Sequence, residues 1–217
     1  MYSYFFAVFL AFLVWLFLFI IAPQKRKEMV IVGAILTPFV IFDILTVPNY
    51  WEPVTLFGIP VGIEGVFFTF LITGIASVIY EVTLRKRYRF NKLNPHSLII
   101  FLVPGLISLL AVYVLKLNII YLFILAFAFM TLTILSRRKD LAINSIYSSL
   151  LFGFIYVSVF NIWIFISPES INWWNKSNLT PVSIGFLPFE EFLFSITLGS
   201  FAGPLYEYLS SAVIVKK

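Results

Sequence analysis

The sequence predicts an all-α integral membrane protein of seven transmembrane helices, arranged as two parallel three-helix repeats joined by a connector helix. Three observations lead to this prediction. The 217 residues are 61% hydrophobic and only 12% charged. Apolar runs of about 20 residues, the length that crosses a bilayer as a helix, recur along the chain. The second half of the sequence also repeats the pattern of the first half.

Seven apolar runs define the predicted spans. Because lipid offers backbone groups no hydrogen-bond partner, each run is expected to be helical. The first run has no basic residue before it and no small-residue cleavage site after it, so we predict a span rather than a signal peptide. The predicted spans cover residues 2–22, 29–48, 60–82, 96–116, 118–135, 141–167 and 183–209.

Basic residues are concentrated in every second link and at the end of the chain. The positive-inside rule predicts a multi-pass protein of the cell membrane, with the N-terminus outside and the C-terminus cytoplasmic. Because its basic residues cluster in this way, the net charge of +5 predicts no nucleic-acid partner. The outer links carry Trp51, Trp173 and Trp174, where aromatic belts are expected. The basic clusters are Lys25, Arg26 and Lys27; Arg85, Lys86, Arg87, Arg89 and Lys92; Arg137, Arg138 and Lys139; and Lys216 with Lys217.

An internal repeat relates spans one to three to spans five to seven. Residues 1–93 are the predicted first repeat, residues 94–117 the connector helix and residues 118–217 the second repeat. Four crossings separate equivalent spans, so the two repeats have the same orientation, which predicts a pseudo-two-fold axis along the membrane normal and a shared site between the halves. The matching pairs are Glu28 with Asp140, Asp43 with Asn161, Glu64 with Glu190, Phe68 with Phe194, and Glu81 with Glu207.

Carboxylates within the apolar spans are the main functional candidates, because an ionisable side chain at that depth is costly. Glu190 and Glu191 are adjacent, about 100° apart around their helix. Together with Glu64, Asp43 and Asn161 they are predicted to lie within roughly 10 Å of the outer membrane boundary, counted at 1.5 Å per residue. The spans offer no cation at this depth, so an ion pair does not explain these carboxylates.

The two remaining glutamates of the repeat, Glu81 and Glu207, lie near the inner ends of their spans. Glu81 is one turn before Arg85. We expect both glutamates to be structural and to pair with interfacial Arg or Lys residues.

Two carboxyl groups in an apolar pocket suit acid–base chemistry on a hydrocarbon. One group can donate a proton to an alkene while another, ionised, accepts a proton from the other end of the reacting segment. Aromatic faces nearby can stabilise the intervening cation. The abundant aromatic residues, 19% of the chain, are otherwise expected to serve helix packing and lipid contact.

The run Pro188-Phe189-Glu190-Glu191 resembles the Pro-x-Glu-Glu/Asp signature of the integral-membrane lycopene β-cyclases. In that family two homologous three-span domains are separate subunits or are fused in one chain, as in archaeal and fungal members. The resemblance implies redox-neutral cyclisation of the ψ-ends of lycopene to β-rings, giving γ-carotene and then β-carotene. It also implies no cofactor, and the sequence has no Gly-rich dinucleotide fingerprint. Lycopene, other carotenoids, membrane lipids and other carotenoid-pathway enzymes are the candidate partners.

The resemblance implies that the glutamates of the motif are the candidate proton donor and acceptor. We predict that Glu190 is an essential acid or base, with Glu191 and Glu64 as its partners and Asp43 tuning them. Which group donates the proton stays open, as does whether one or both ends of the substrate are cyclised. The first half reads Gly62-Ile63-Glu64-Gly65 and lacks both the proline and the second carboxylate, which predicts a single asymmetric site. The candidate substrate-binding residues are Phe68, Asn161, Pro188 and Phe194.

A seven-helix transporter of the PQ-loop or sugar type is the alternative, because it has the same parallel layout. Pro23-Gln24 ends the first span, but the equivalent dipeptide is Ser136-Arg137, so the motif does not repeat. The spans are mainly Phe, Leu and Ile and offer few polar side chains for a polar solute. The sequence therefore favours an enzyme acting on a hydrocarbon.

Overall fold

The structure is a computed structural model that describes residues 3–59 and 62–215. The basic residues Lys216 and Lys217, which entered the predicted orientation, lie outside this range. Eight α-helices form in the described residues and are numbered in chain order. They are α1 (Ser3–Ile21), α2 (Arg26–Leu36), α3 (Asp43–Thr46), α4 (Ile63–Thr83), α5 (Leu102–Leu115), α6 (Ile120–Arg137), α7 (Ala142–Ile166) and α8 (Phe189–Leu209).

Six helical stretches of the described chain are long and apolar enough to cross a membrane, which fits a multi-pass membrane protein. They correspond to the first six predicted spans. The seventh predicted span is helix α8, which carries three glutamates and is not among the six. Seven crossings, the repeat and the orientation of the termini remain predictions. The six stretches are Ser3–Ile21, Pro23–Thr46, Ile63–Thr83, Pro95–Leu115, Ile120–Arg137 and Lys139–Ile166.

The second stretch is not a continuous α-helix. After α2 the chain tightens into a 3₁₀ segment over Thr37–Phe42 and then forms the short helix α3. Pro38 explains the change, because proline lacks an N–H group and its ring clashes with the preceding turn of an α-helix. This segment leads directly to Asp43, the first residue of α3.

The last predicted helix begins later than expected. Residues 183–188 form a two-stranded antiparallel hairpin, β2 (Ser183–Ile184) with β3 (Leu187–Pro188), so the prediction of helix over these residues is wrong. Gly185 begins the turn with φ of +65°, a conformation that favours glycine. Pro188 is then the residue preceding the first turn of α8, and a helix starts there without losing a backbone hydrogen bond.

Helices α4 and α8 form the centre of the bundle. Helix α4 contacts α1, α2, α7 and α8, and α8 also contacts α6 and α7. Every residue of α4 from Leu71 to Glu81 is buried. Helix α5 packs mainly on α6 at one side, and most of its large apolar residues are exposed. The equivalent helices of the predicted repeat therefore meet at the centre, with their first two spans around them.

Short antiparallel pairings join distant segments at both ends of the bundle. At the end called inner below, formed by residues 22–25, 84–94, 138–141 and 210–215, β1 (Tyr88–Arg89) pairs with β4 (Val213–Ile214). The outer end is formed by residues 47–59 and 167–188. There Trp51 bridges to Trp174, and the backbone N–H of Asn175 donates to the Tyr50 carbonyl at 2.9 Å.

Candidate active site

A cavity of about 110 Å³ lies between the central and flanking helices toward the outer end. Its lining comes from α2 and α3 with the 3₁₀ segment between them, and from α1, α4, α6, α7 and α8. Asp43 and Glu191 are the carboxylates of the described chain in this lining, and most other members are apolar. The aromatic members are Tyr4, Phe39, Tyr50, Trp51, Phe68, Phe123, Phe127, Tyr156, Phe160 and Phe194.

Glu191, in the first turn of α8, is held by three uncharged hydrogen-bond donors. Its Oε1 accepts from the Tyr50 hydroxyl at 2.7 Å and from the Trp174 indole Nε1 at 3.0 Å. Its Oε2 accepts from the Tyr156 hydroxyl at 2.7 Å. Hydrogen bonds of this kind are strongest when the acceptor is ionised. Both oxygens of a buried carboxylate are thus satisfied without a cation.

Tyr50 keeps its proton in this arrangement. Burial, and then the negative charge of Glu191, raise the pKa of the Tyr50 phenol well above its ordinary value. The hydroxyl is therefore a permanent donor to Glu191. Since Tyr50 lies in the loop after α3 and Glu191 on α8, this hydrogen bond joins the two halves of the chain.

Asp43 faces the same cavity in different surroundings. It is half-buried, and its carboxyl group makes no hydrogen bond or ion pair with the described residues. Gly65 lies beside it, and a Cβ atom added there would be 3.4 Å from Asp43 Oδ2 and 3.6 Å from the Tyr4 hydroxyl. In the predicted repeat Gly65 is the equivalent of Glu191. The first half thus has glycine at the position where the second half has the Glu191 carboxylate. The Asp43 carboxyl group lies beside that glycine.

The repeat equivalents Glu64 and Glu190 are both buried but are not among the residues that line the cavity. Glu64 Oε1 accepts from the backbone N–H of Leu56 at 2.6 Å. Glu190 Oε1 accepts from the backbone N–H of Thr180 at 2.8 Å and from the Tyr121 hydroxyl at 3.3 Å. Each glutamate therefore ties the outer loop that precedes its own helix to the bundle. Of the four predicted catalytic carboxylates, the structure brings Asp43 and Glu191 to one cavity.

The candidate substrate-binding residues divide in the same way. Phe68 and Phe194 line the cavity, whereas Asn161 and Pro188 are not part of its lining. Asn161 instead holds the β2–β3 hairpin: its Nδ2 donates to the Ile184 carbonyl at 3.2 Å, and its Oδ1 accepts from the Phe186 N–H at 2.7 Å. Asn161, the predicted equivalent of Asp43 in the second half, therefore stabilises a hairpin and does not face the cavity.

Comparison with known proteins adds one finding. The lycopene cyclase family model matches residues 118–209. Over this stretch the chain is similar to the lycopene cyclase family. The matched residues, called the lycopene cyclase region below, extend through α6, α7 and α8. No curated protein and no solved structure matches the chain.

The family implies an enzyme of carotenoid cyclisation with a carotenoid substrate. The lycopene cyclase region contains Glu191 and two of its donors, Tyr156 and Trp174. The other cavity carboxylate, Asp43, and the third donor, Tyr50, precede that region. Both halves of the chain therefore contribute to the cavity.

The three donors to Glu191 were not predicted from the sequence. Trp51, Trp173 and Trp174 were expected to form an aromatic belt, but Trp173 and Trp174 are buried, with exposures of 9% and 3%. The centroids of the Trp51 and Trp174 rings are 5.2 Å apart at the outer end of the bundle. An indication in the sequence was that Tyr50 and Trp174 lie in the two links next to the acidic spans.

The inner glutamates form a second acidic group, far from the cavity. Glu81 contacts the Lys25 ammonium, in agreement with the expected pairing with a basic residue. Both carboxylate oxygens of Glu207, in the lycopene cyclase region, are buried and have no hydrogen-bond partner among the described residues. For Glu207 the expected ion pair with Arg or Lys is not found among the described residues.

Proposed function

We propose that the chain is a lycopene β-cyclase that converts the ψ-ends of lycopene to β-rings, giving γ-carotene and then β-carotene. The observation that carries this proposal is the cavity itself, where two carboxyl groups in unlike surroundings face one aromatic, mainly apolar space. The family match over residues 118–209 supports a carotenoid cyclase role. The ring type and the roles of individual residues are our inference.

The reaction begins with a proton added to the terminal double bond of the ψ-end, which leaves a tertiary cation. The next double bond along the chain attacks this cation, forms one carbon–carbon bond and closes the ring. The ring carbon that is attached to the polyene then loses one proton, which creates the double bond of the β-ring. One proton is gained and one is lost, so substrate and product are isomers and no electron acceptor is consumed.

We assign proton donation to Asp43 and proton acceptance to Glu191. Three donors face Glu191, and such hydrogen bonds favour a negatively charged acceptor. The Asp43 carboxyl group makes no ion pair with the described residues, so no cation holds it in the ionised form. An acid and a base on one cavity meet the requirement for one proton to enter and one to leave.

Aromatic rings supply the surroundings that a carbocation needs. Phe68, Tyr156 and Phe194 line the cavity, and the Tyr156 ring contacts the other two, with its centroid 6.4 Å from that of Phe68 and 6.1 Å from that of Phe194. The negative face of an aromatic ring attracts a cation, and the attraction grows as water is removed. These rings also keep water from the cation, which would otherwise give a hydrated, uncyclised product.

The size of the cavity limits what part of the substrate it can hold. A volume of about 110 Å³ is far too small for a forty-carbon polyene, so only the end of the chain enters. An extended carotenoid is about as long as the hydrocarbon core of a bilayer is thick, roughly 30 Å. The rest of the polyene therefore lies among the apolar spans and lipid, and each end is cyclised in its own binding event.

Expression in a lycopene-accumulating host, followed by pigment analysis, tests this proposal. We expect β-rings with the unchanged protein, and loss of most cyclisation with Asp43→Asn and with Glu191→Gln. Both substitutions replace an ionisable group with a neutral amide of similar size, so the protein should still insert, which immunoblotting of membranes checks. Glu169→Gln is the matched control, because Glu169 is exposed at the outer end. Unchanged lycopene with the protein present in the membrane would refute the proposal and favour the transporter alternative.

A further inference from the structure

Three glutamates from three helices converge at the inner end of the bundle. Glu28 lies on α2, Glu81 on α4 and Glu207 on α8, and each offers a carboxylate oxygen within 4.8 Å of the other two. Their exposures are 2%, 2% and 0%. Glu64 and Glu81 are 17 residues apart on α4, which places this cluster roughly 25 Å from the outer carboxylates. The cluster therefore belongs to a different site from the cavity.

The cluster carries more negative charge than the protein neutralises. Its cation is Lys25, whose Nζ lies 3.2 Å from Glu28 Oε2 and in contact with Glu81. Lys25 also lies over the Phe90 ring, 4.9 Å from its centroid, and is 4% exposed. Three carboxylates and one ammonium leave a formal charge of two negative units in a buried place. Such an imbalance is costly unless another cation is bound or a carboxyl group takes up a proton.

Hydrogen bonding does not satisfy these groups within the described chain. Glu28 Oε1, Glu81 Oε1 and both oxygens of Glu207 are buried without a hydrogen-bond partner. Asp140, the repeat equivalent of Glu28, shows the contrast: it is exposed and accepts two hydrogen bonds from Arg138, at 2.8 and 2.6 Å. The carboxylate at this position is therefore buried in the bundle in the first half and exposed at the surface in the second half.

Asn144 provides a second observation, from a helix outside the acidic cluster. This residue of α7 is 1% exposed, and its side-chain nitrogen has no hydrogen-bond partner in the described residues. Its side chain interacts with Glu207 and lies beside Gly203, one turn earlier on α8. Its Oδ1 accepts from the Ser148 hydroxyl at 2.9 Å. A buried amide beside Glu207 adds a neutral group whose oxygen has a second lone pair and can serve as a ligand.

We propose that Glu28, Glu81 and Glu207 bind a hard divalent cation of the Mg²⁺, Mn²⁺ and Ca²⁺ class. Carboxylate oxygens are the ligands these ions prefer, at about 2.0 to 2.6 Å from the metal. Any two ligands of one such ion lie no more than about twice that distance apart, and the three carboxylate oxygens, all within 4.8 Å of one another, meet this condition. Two positive charges cancel the formal excess. The ion ties α2, α4 and α8 together at their inner ends and takes no part in the proposed cyclisation.

Mn²⁺ binding to the purified full-length protein in detergent tests this site. After treatment with a chelator, Mn²⁺ alone is titrated while electron paramagnetic resonance measures the free ion and a parallel melt measures Tm. We expect saturation at one ion per chain, a rise in Tm on binding, and displacement by Mg²⁺ or Ca²⁺. Glu207→Gln and Glu81→Gln should each weaken Mn²⁺ binding by at least about tenfold.

Glu169→Gln is the control, because this exposed outer residue should leave Mn²⁺ affinity unchanged. If Glu207→Gln does not fold, Glu81→Gln and the wild-type titration still decide the question. Absence of saturable Mn²⁺ binding to the wild type would overturn the proposal. So would a Mn²⁺ affinity in both Gln variants that equals that of the wild type. Since neither readout depends on carotenoid, failure here is distinguishable from failure of the proposed cyclase activity.

Discussion

At the scale of single residues, hydrogen bonding divides the cavity carboxylates into two kinds. Glu191 is surrounded by donors from two loops and a helix, whereas the Asp43 carboxyl group has no donor among the described residues. This difference is the basis for giving them opposite roles in proton transfer. In the proposed mechanism the donors are therefore residues that position Glu191.

Removing one donor should slow cyclisation without abolishing it. A hydrogen bond to a charged acceptor contributes about 1.5 to 3 kcal/mol. We therefore expect Tyr50→Phe and Tyr156→Phe each to lower the turnover of lycopene by roughly 10- to 100-fold. Turnover is measured by pigment extraction at equal protein levels. Tyr113→Phe is the matched control, because Tyr113 is 82% exposed on α5 and should retain full activity. Full activity in both cavity variants would contradict the role of these hydroxyls.

Glu190→Gln tests whether Glu190 acts as an acid or base or instead holds a loop. Its Oε1 accepts from the Thr180 N–H at 2.8 Å, and an amide oxygen in the variant can accept the same bond. We therefore expect Glu190→Gln to lose less activity than Glu191→Gln, and Glu190→Ala to lose more than Glu190→Gln. Pigment analysis of the three variants gives the order. A Glu190→Gln variant as inactive as Glu191→Gln would return Glu190 to the essential role that the sequence predicts.

At the scale of helices and strands, the apolar runs predict where the membrane-spanning helices lie along the sequence. They predict less well where each helix begins and ends. Six helical stretches coincide with predicted spans, because about 20 apolar residues leave few alternatives in a membrane. The hairpin before α8 was missed, since apolar content cannot distinguish a short strand from the first turn of a helix. Gly185 and Pro188 were the local signals for that break.

The predicted depth of the carboxylates did not determine which of them face the cavity. Glu190 and Glu191 have nearly the same depth but point about 100° apart around α8. Rotation about the helix axis is fixed by packing, here of α8 on α6 and α7, and the sequence holds no measure of it. The donors to Glu191 were missed for a similar reason: Trp174 reaches the site only because the outer loops pair with each other.

Close packing of α7 on α8 gives a stability prediction. A Cβ atom at Gly199 would lie 2.9 Å from the Ser148 carbonyl oxygen, and a backbone atom cannot move aside easily. We expect Gly199→Ala to destabilise the protein by about 1 to 3 kcal/mol, the usual effect of overpacking. Thermal unfolding in detergent measures the change in Tm.

Gly105→Ala on α5 is the control for that substitution. The nearest atom to a Cβ at Gly105 is Met130 Cε at 3.8 Å, an ordinary contact. The Tm of this variant should equal or exceed that of the wild type, because alanine has a higher helix propensity than glycine. Equal Tm values for Gly199→Ala and the wild type would contradict the close contact between α7 and α8.

At the scale of the whole molecule, the two halves of the predicted repeat contribute different parts of the proposed site. Asp43 and Tyr50 come from the first half, and Glu191, Tyr156 and Trp174 from the second. The single asymmetric site predicted from Gly65 and Asn161 is consistent with this division. Helices α4 and α8, which are equivalent in the predicted repeat, meet at the centre, and residues distant in sequence meet at both ends of the bundle.

Cyclisation in D₂O measures proton donation to the substrate directly. Purified protein is equilibrated in D₂O, supplied with lycopene, and the product is examined by mass spectrometry. Because the cavity acid exchanges its proton with solvent before each ring closure, we predict one deuterium atom for every β-ring formed. The Asp43→Asn variant should form few rings. β-Rings that contain no deuterium, or undiminished ring formation by Asp43→Asn, would contradict the assignment of Asp43 as the proton donor.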